Sequence, residues 1–411
     1  MTPFKAPRGT HDVLPAEQPL WQRVTRTAAE VCALYGYRQI QTPGFEDTEL
    51  FERTSGEASD IVHKEMYTFT DRGDRSLTLR PEATAPIVRA YLEHGLHREP
   101  QPMKLFTIAT MYRYATPQKG RYREHWHWST EAIGSDDPAI DAELIQLYAE
   151  FLRRVGVSKY RLELNSIGDR ACRPAYVDRL NGWLDEHDAV LDEEARHKRA
   201  TSPLRIFDTK NPELARALEG APKIGESLCE DCRRHFADVR RYLDAYGVAY
   251  ELVPTLVRGL DYYTRTTFEF IGPEHGAQSA IAGGGRYDYL AEEIGGPHTP
   301  AIGFGAGIER ALLALEDAGV NADQPELDVF VATEADASRE EILRVLAALR
   351  RDGRSCDTDY AGRSLKGQLT RASRARARVI AIVGGERATI RRPGAEDEDV
   401  PLAGLAERLA E

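Results

Sequence analysis

Long apolar runs are missing from this sequence. No stretch approaches the roughly 20 consecutive apolar residues that cross a bilayer, so neither a membrane span nor a membrane partner is expected. Cysteine is scarce and odd in number, five in 411 residues, which argues against a disulfide framework. The opening MTPFKAPRGTHDVLP has no basic segment followed by an apolar one, so no secretory signal is visible and the cytoplasm is the expected compartment. Positive charge is in deficit, 54 Lys and Arg against 66 Asp and Glu for a net charge of −12. That balance does not exclude nucleic acid, because binding depends on where positive charge is displayed. Also absent are a P-loop, an H-E-x-x-H helix and a nucleophilic Ser or Cys with a local base. GFGAGIERALL, at 303–313, does not fit the G-x-G-x-x-G dinucleotide fingerprint.

What is present, 42% apolar and 29% charged residues, is a globular composition, and the length predicts two or three domains. Leu20, Val24, Ala28 and Val31 recur at helical spacing between Pro19 and Tyr35, with Gly36 as a stop. KLFTIATMYRY and REHWHWSTEAIG are extended runs joined through Pro117 and Gly120, a long hairpin. From 165 to 250 the chain turns charged and rich in Ala and Leu, a helical insertion. TTFEFIG and AQSAIAGGG restore strand texture, and AIGFGAGIERALLALEDAG runs from strand into helix. Strands that neighbour one another without regular helical crossovers predict an α+β fold with a mixed, mainly antiparallel sheet. After a linker, NADQPE at 321–326, strand and helix alternate as a small α/β domain. The expected division is a core in two parts, 1–164 and 251–320, the insertion at 165–250, and a carboxy-terminal domain at 326–411.

Five stretches concentrate chemistry. In PQKGRYREHWHW, 117–128, strand alternation puts Arg121, Arg123, His125, His127, Ser129 and Glu131 on one face, with Tyr122, Trp126, Trp128 and Thr130 on the other. The first face is either functional or simply solvated; the tryptophans are expected in a core. RGLDYYTRTTFE, 258–269, carries Arg258, a planar fork suited to carboxylate or phosphate oxygens, unless that arginine is structural. AGGGRYDYL allows close backbone approach to a small ligand, although a tight turn needs the same glycines. Glu309 and Arg310 sit early on a predicted helix, within reach of a polyphosphate. In LRPEATAP, Glu82 precedes a helix and could bind an amine or cap that helix. Arginine clamps, a glycine-lined pocket and carboxylates suit phosphate chemistry run by positioning and charge stabilisation. A sixth pattern, Cys229, Cys232 and His235, supplies three candidate ligands where structural zinc takes four, and is taken as ordinary reduced cysteines.

Together these stretches resemble the histidyl-tRNA synthetases, class II aminoacyl-tRNA synthetases, over essentially the whole chain. YRQIQTPGFEDTELF is similar to the first class II motif, which in the family forms the dimer interface and ends in a proline, here Pro43; MYR…PQKGRYR…E resembles the second motif and GFGAGIER the third. RGLDYYTRTTFE and AGGGRYD are similar to the two signatures peculiar to the histidine enzymes. The resemblance implies a class II catalytic core, a helical insertion, an anticodon-binding domain, a homodimer, and ATP with Mg2+ as substrate and cofactor. It implies that Arg113 and Arg258 hold the ATP α-phosphate as the histidine carboxylate attacks, Arg113 also touching that carboxylate, and that Arg310 holds the γ-phosphate. Glu82, Ala83 and Thr84 are implied at the histidine amino group, and Glu131, Tyr262, Tyr263 and Tyr287 around the imidazole. Gln118 and Arg123 are implied on the extra 5′ guanosine of the histidine tRNA. An imidazole held at both nitrogens is discriminated by roughly 10⁴ to 10⁵, so no editing domain is expected.

The sequence departs from the family at three positions. Ala115 stands where a glutamate usually helps to hold adenine. His127 stands where a glutamine usually touches histidine and brings a titratable ring. Ser129 replaces a glycine. In the carboxy-terminal domain, Arg363, Lys366, Arg371, Arg374, Arg376 and Arg378 form a run with no acidic residue, implied as tRNA contacts, with Arg371 and Arg374 on the predicted helix. Two rivals remain open: a synthetase-like regulatory subunit of histidine biosynthesis, which generally lacks the anticodon module, and a class II enzyme for another amino acid, which lacks the tyrosine-rich signature.

Overall fold

The computed structural model describes residues 3–56, 61–272, 280–321, 324 and 326–410. Three residues of the expected linker, 322, 323 and 325, and the start of the expected strand at 277–279 lie outside the described residues. The chain forms two compact units, 1–322 and 323–411.

The first unit is built on an eight-stranded sheet. Its strands lie in the order Arg38–Gln39, Met103–Tyr112, Glu124–Ile133, Ala301–Gly307, Ala280–Arg286, Thr264–Ile271, Arg161–Ser166 and Glu251–Leu252. All inner pairings are antiparallel and only the two short edge strands pair parallel, so the expected mixed, mainly antiparallel sheet is found. The predicted hairpin forms with ten residues a side and places Leu105 opposite Glu131 and Ala109 opposite His127.

One face of the sheet is covered by helices Gln18–Leu34 and Pro138–Val155. The first buries Val24, Ala28 and Val31, three of its four expected apolar positions. The second starts at Asp137, whose carboxylate accepts the Ala139 N–H at 2.9 Å, and stops at Gly156 in the left-handed region. Beneath them Trp128 is fully buried against Phe151 and Phe304, at ring separations of 4.9 and 5.0 Å. Trp126 does not follow it into the core. It is 37% exposed, meeting Trp21 of helix Gln18–Leu34 edge-on.

Residues 165–250 supply helices Arg173–Glu186, Glu193–Thr201, Pro212–Leu218 and Glu230–Tyr246. Tyr176, Leu180, Leu184, Ile206 and Leu214 share a small core of their own. The last helix also sends Val239 and Leu243 into the main core, alongside helix Pro138–Val155. The segment is thereby tied to the sheet by burial and not only by its two chain connections.

A buried ion cluster braces the same region. Arg286, completely inaccessible, bonds Asp141 at 2.8 Å and Asp288 at 2.9 Å. Removing the guanidinium strands two buried carboxylates, which costs roughly 3 to 5 kcal/mol. Arg286→Met is accordingly expected to lose about that much stability in urea denaturation, and a change within experimental scatter would show that the cluster is dispensable.

In the second unit a five-stranded sheet runs Cys356–Thr358, Val329–Thr333, Val379–Gly384, Arg387–Arg391 and Glu398–Pro401. The first three strands are parallel and the last two antiparallel. Helices Arg339–Arg351 and Leu365–Arg374 accompany it, and Val329, Val331, Leu346, Leu349 and Val383 form its core.

Candidate active site

The first unit contains a cavity of about 580 Å³ lined by Arg113, Arg258 and Arg310, three arginines from segments far apart in the chain. Arg113 leaves the end of strand Met103–Tyr112, and its Nε donates to the Pro81 carbonyl at 2.7 Å. Arg258, on the loop before strand Thr264–Ile271, pairs with Glu269, the residue opposite Gly283 in the sheet. A Cβ at Gly283 would stand 2.6 Å from an Arg258 nitrogen, so a side chain there would displace the guanidinium. Arg310 lies in the first turn of helix Ile308–Asp317 and donates to the Ala280 carbonyl at 2.6 Å. Burial, with Arg113, Arg121 and Arg258 alongside, lowers the Arg310 pKa. Guanidiniums that repel one another in a partly desolvated cavity favour a polyanion between them.

Behind the cavity lining, which includes Tyr262 and Tyr263 but neither Glu131 nor Tyr287, lies a buried compartment of packed side chains. Glu131 is fully buried; Thr84 Oγ1 donates to one carboxylate oxygen at 2.9 Å and Tyr287 Oη to the other at 2.5 Å. Burial pushes this carboxyl up to about 8. Gly303 lies opposite Glu131 across the sheet, and any side chain there would collide with the carboxylate. The buried rings of Tyr262, Tyr263 and Tyr287 complete the compartment, Tyr262 lying 4.6 Å from Tyr263 and 5.7 Å from Tyr287. Glu82 caps its helix, accepting N–H bonds from Thr84 at 2.6 Å and Ala85 at 2.9 Å, and it also faces the cavity. Both alternatives held open for this residue are therefore compatible. Ala83 is buried at the helix start and does not line the cavity.

His127 Nδ1 lies 3.0 Å from Ser129 Oγ, so two of the three departures from the family pattern touch each other. The ring lies over Gly305, where a side chain would collide with it. Burial, then the charges of Arg113 and Arg310, push its pKa down to about 3, which favours the neutral ring. His125 is depressed in the same way. Ala115, the third departure, is buried in the cavity wall.

Not every expected residue reaches the cavity. The Arg123 guanidinium stacks on the Tyr114 ring at 3.6 Å, and its Nε donates to the Ala115 carbonyl at 3.2 Å. Gln118 exchanges backbone hydrogen bonds with Arg121 across a turn at Gly120. Neither lines the cavity. Arg121, given no role beyond its face of the strand, does line it and pairs with Glu65 at 2.7 Å. Glu65 carries no recognisable signal, whereas the alternating glycines of GFGAG do: 303, 305 and 307 pair in register with Glu131, Ser129 and His127. In the second unit, Arg363 pairs with Asp359 and Arg371 with Asp357, and Arg378 pairs with Glu326. Arg374 and Arg376 are exposed, as is Lys366. Half of that basic run is thus paired with acids outside it, from four to 52 residues away.

The family model for histidyl-tRNA synthetase matches residues 9–311. The histidine–tRNA ligase of Moorella thermoacetica is 49% identical, over 98% of this chain and 96% of that protein. Apo histidyl-tRNA synthetase of S. aureus superposes with a TM-score of 0.84 at 35% identity, over 99% of this chain and all of that one. A Bacillus halodurans structure, named as an ATP phosphoribosyltransferase regulatory subunit/histidyl-tRNA synthetase, superposes at 0.66 with 22% identity, a likeness of fold alone.

Proposed function

The chain belongs to the histidyl-tRNA synthetase family, ATP-dependent ligases that join L-histidine to its tRNA, and we propose that both steps run in the arginine-lined cavity of the first unit. The observation that carries this reading is the convergence of Arg113, Arg258 and Arg310 on one cavity beside the buried Glu131 compartment. ATP lies among the arginines, with its α-phosphate between Arg113 and Arg258 and its γ-phosphate at Arg310. Histidine inserts its imidazole between Glu131 and the tyrosines and leaves its amino group at Glu82 and Thr84. A carboxylate oxygen attacks the α-phosphorus in line, the bond to the β-phosphate oxygen breaks, and pyrophosphate leaves. The arginines stabilise charge on the phosphoryl oxygens as it develops. A ribose hydroxyl at the tRNA 3′ end then attacks the adenylate carbonyl and releases AMP.

Mg2+ would neutralise the polyphosphate, and the cavity suits it: Glu269 and Glu309 offer oxygen ligands, and burial holds the Glu309 carboxyl at about 7, where a cation would favour ionisation. His127, neutral and bonded to Ser129, contacts histidine as a fixed donor or acceptor. The protein acts as a cytoplasmic homodimer. Phe45, within the first motif, and Phe69, 50% and 42% exposed and packed edge to face, mark an apolar patch that supports a partner subunit. The regulatory-subunit reading has only a likeness of fold behind it. ATP–pyrophosphate exchange with each amino acid in turn tests the proposal: exchange with histidine alone is expected, and none with histidine would overturn it.

The second unit binds the anticodon region of the tRNA through the exposed Lys366, Arg374 and Arg376, whereas Arg371, expected there, is held by Asp357. Changing Lys366, Arg374 and Arg376 to glutamine is expected to weaken tRNA binding and reduce the slope of log K against log salt by up to about 0.9 per lost phosphate contact. An unchanged slope would remove these side chains from the interface.

A further inference from the structure

Cys229 and Cys232 do not act with His235, which lies 3.6 Å from Asp141 instead. Their neighbours come from the other end of the helical segment: Asp169 and Cys172, 60 residues before Cys232. The three sulfurs and one Asp169 oxygen all lie within 4.8 Å of one another. Cys172 Sγ is 3.9 Å from Cys232 Sγ and 3.6 Å from Asp169 Oδ1. A tetrahedral zinc with Zn–S bonds of about 2.3 Å sets its ligand atoms about 3.8 Å apart. We propose that Asp169, Cys172, Cys229 and Cys232 hold a structural zinc ion that clasps the first and last helices of the 165–250 segment against the strand following Tyr262 and Tyr263.

Helix starts and a tight turn shape the site. Cys172 and Cys229 are the N-cap residues of helices Arg173–Glu186 and Glu230–Tyr246, at the positive ends of the two helix dipoles. The Asp169 N–H donates to Cys172 Sγ at 3.4 Å. Gly168 takes the left-handed region in the turn, and a Cβ there would come 2.7 Å from Cys172 Sγ. Three thiolates, one carboxylate and Zn2+ sum to −2, and cations are in place: Arg265 approaches the second Asp169 oxygen at 3.4 Å, an outer contact that orients the ligand. Three sulfur ligands select zinc over magnesium or calcium, and four protein ligands leave no open position, the mark of a structural site.

The clasp extends to the histidine compartment. Arg173, adjacent to Cys172, donates to the Tyr263 carbonyl at 2.7 Å and the Gly168 carbonyl at 3.2 Å. Arg265 N–H bonds the Gly168 carbonyl at 2.7 Å, and Ile167 N–H bonds the Arg265 carbonyl at 2.8 Å. Zinc at this knuckle fixes the backbone on which Tyr262 and Tyr263 are carried.

The full chain, purified reduced and with zinc in the medium, is assayed for metal. One zinc per chain is expected, and cobalt substitution should give the sulfur-to-metal charge-transfer band and intense visible bands of a tetrahedral thiolate site. Cys172→Ser and Cys232→Ser should each weaken zinc by more than about tenfold in chelator competition, whereas Cys356→Ser, in the other unit, should retain it. Asp169→Cys supplies a fourth thiolate and should hold zinc at least as tightly, which keeps the test informative if a serine variant misfolds. Zinc at trace level in the wild type, zinc indifferent to both serine variants, or a Cys172–Cys232 disulfide in place of metal would each overturn the proposal. These readouts need no catalysis, so they stand or fall independently of the ligase assignment.

Discussion

Arg258→Ala is expected to lower histidine-dependent ATP–pyrophosphate exchange by about 10³-fold, the scale of an arginine withdrawn from a phosphoryl-transfer site, while leaving thermal unfolding nearly unchanged. The separation follows from where the side chain sits. Its ion pair with Glu269 is at the cavity wall, and Glu269 itself lines the cavity, so water can reach the carboxylate left behind. The charge that Arg258 would meet, by contrast, develops in a desolvated cavity where a fixed cation acts at full strength. A companion substitution tests position as distinct from charge. Gly283→Ala would bring a Cβ within 2.7 Å of the Arg258 Cζ; the guanidinium is the movable party, so it should shift and exchange should fall with the arginine still present. A loss of less than about tenfold in Arg258→Ala would place the α-phosphate elsewhere.

Glu131→Leu should abolish most of the roughly 10⁴-fold preference in kcat/KM for histidine over an isosteric analogue lacking ring nitrogens, because that preference comes from buried polar groups left unpaired by the wrong substrate. Glu131→Gln separates recognition from stability. The Glu131 carboxyl is raised from an ordinary 4.5 to about 8 by burial. A raised acid binds more protons folded than unfolded over that window. Its stabilising contribution is therefore complete below pH 4.5 and is lost as pH climbs through about 8. The ligand-free Gln variant should escape that loss and be the more stable protein at pH 9, by roughly a few kcal/mol, yet bind histidine more weakly. A bound imidazole N–H favours the ionised carboxylate, so histidine KM should fall as pH rises from 6 to 8 in the wild type, a trend the variant lacks. Equal pH profiles for the two proteins would mean that Glu131 does not meet the substrate.

His127 and Ser129 show how a departure from a family pattern is absorbed. A histidine placed among arginines would be costly if it had to carry charge. Burial keeps it neutral, Ser129 gives its Nδ1 a partner, and Gly305 leaves room for the ring. Each of the three residues is legible in the sequence as a residue, but their mutual contact is not. The same holds for Glu65, which enters the cavity wall from a short helix at Ile61–Glu65 with no periodic or motif signal.

The sequence by itself determined the sheet class, the hairpin, the helix starts and the small alternating domain, because strand alternation, helical spacing and caps act between residues close along the chain. It also determined the family, through short runs in which several residues of one site are neighbours. Only the tertiary structure decided which charges meet: that Arg371 spends its charge on Asp357, that Arg123 lies on Tyr114, that Arg286 is buried between Asp141 and Asp288, and that Cys232 finds Cys172. Those pairings span from two residues, between Arg286 and Asp288, to 145, between Arg286 and Asp141. Coulomb energy and desolvation depend on distance through space, which no local pattern encodes.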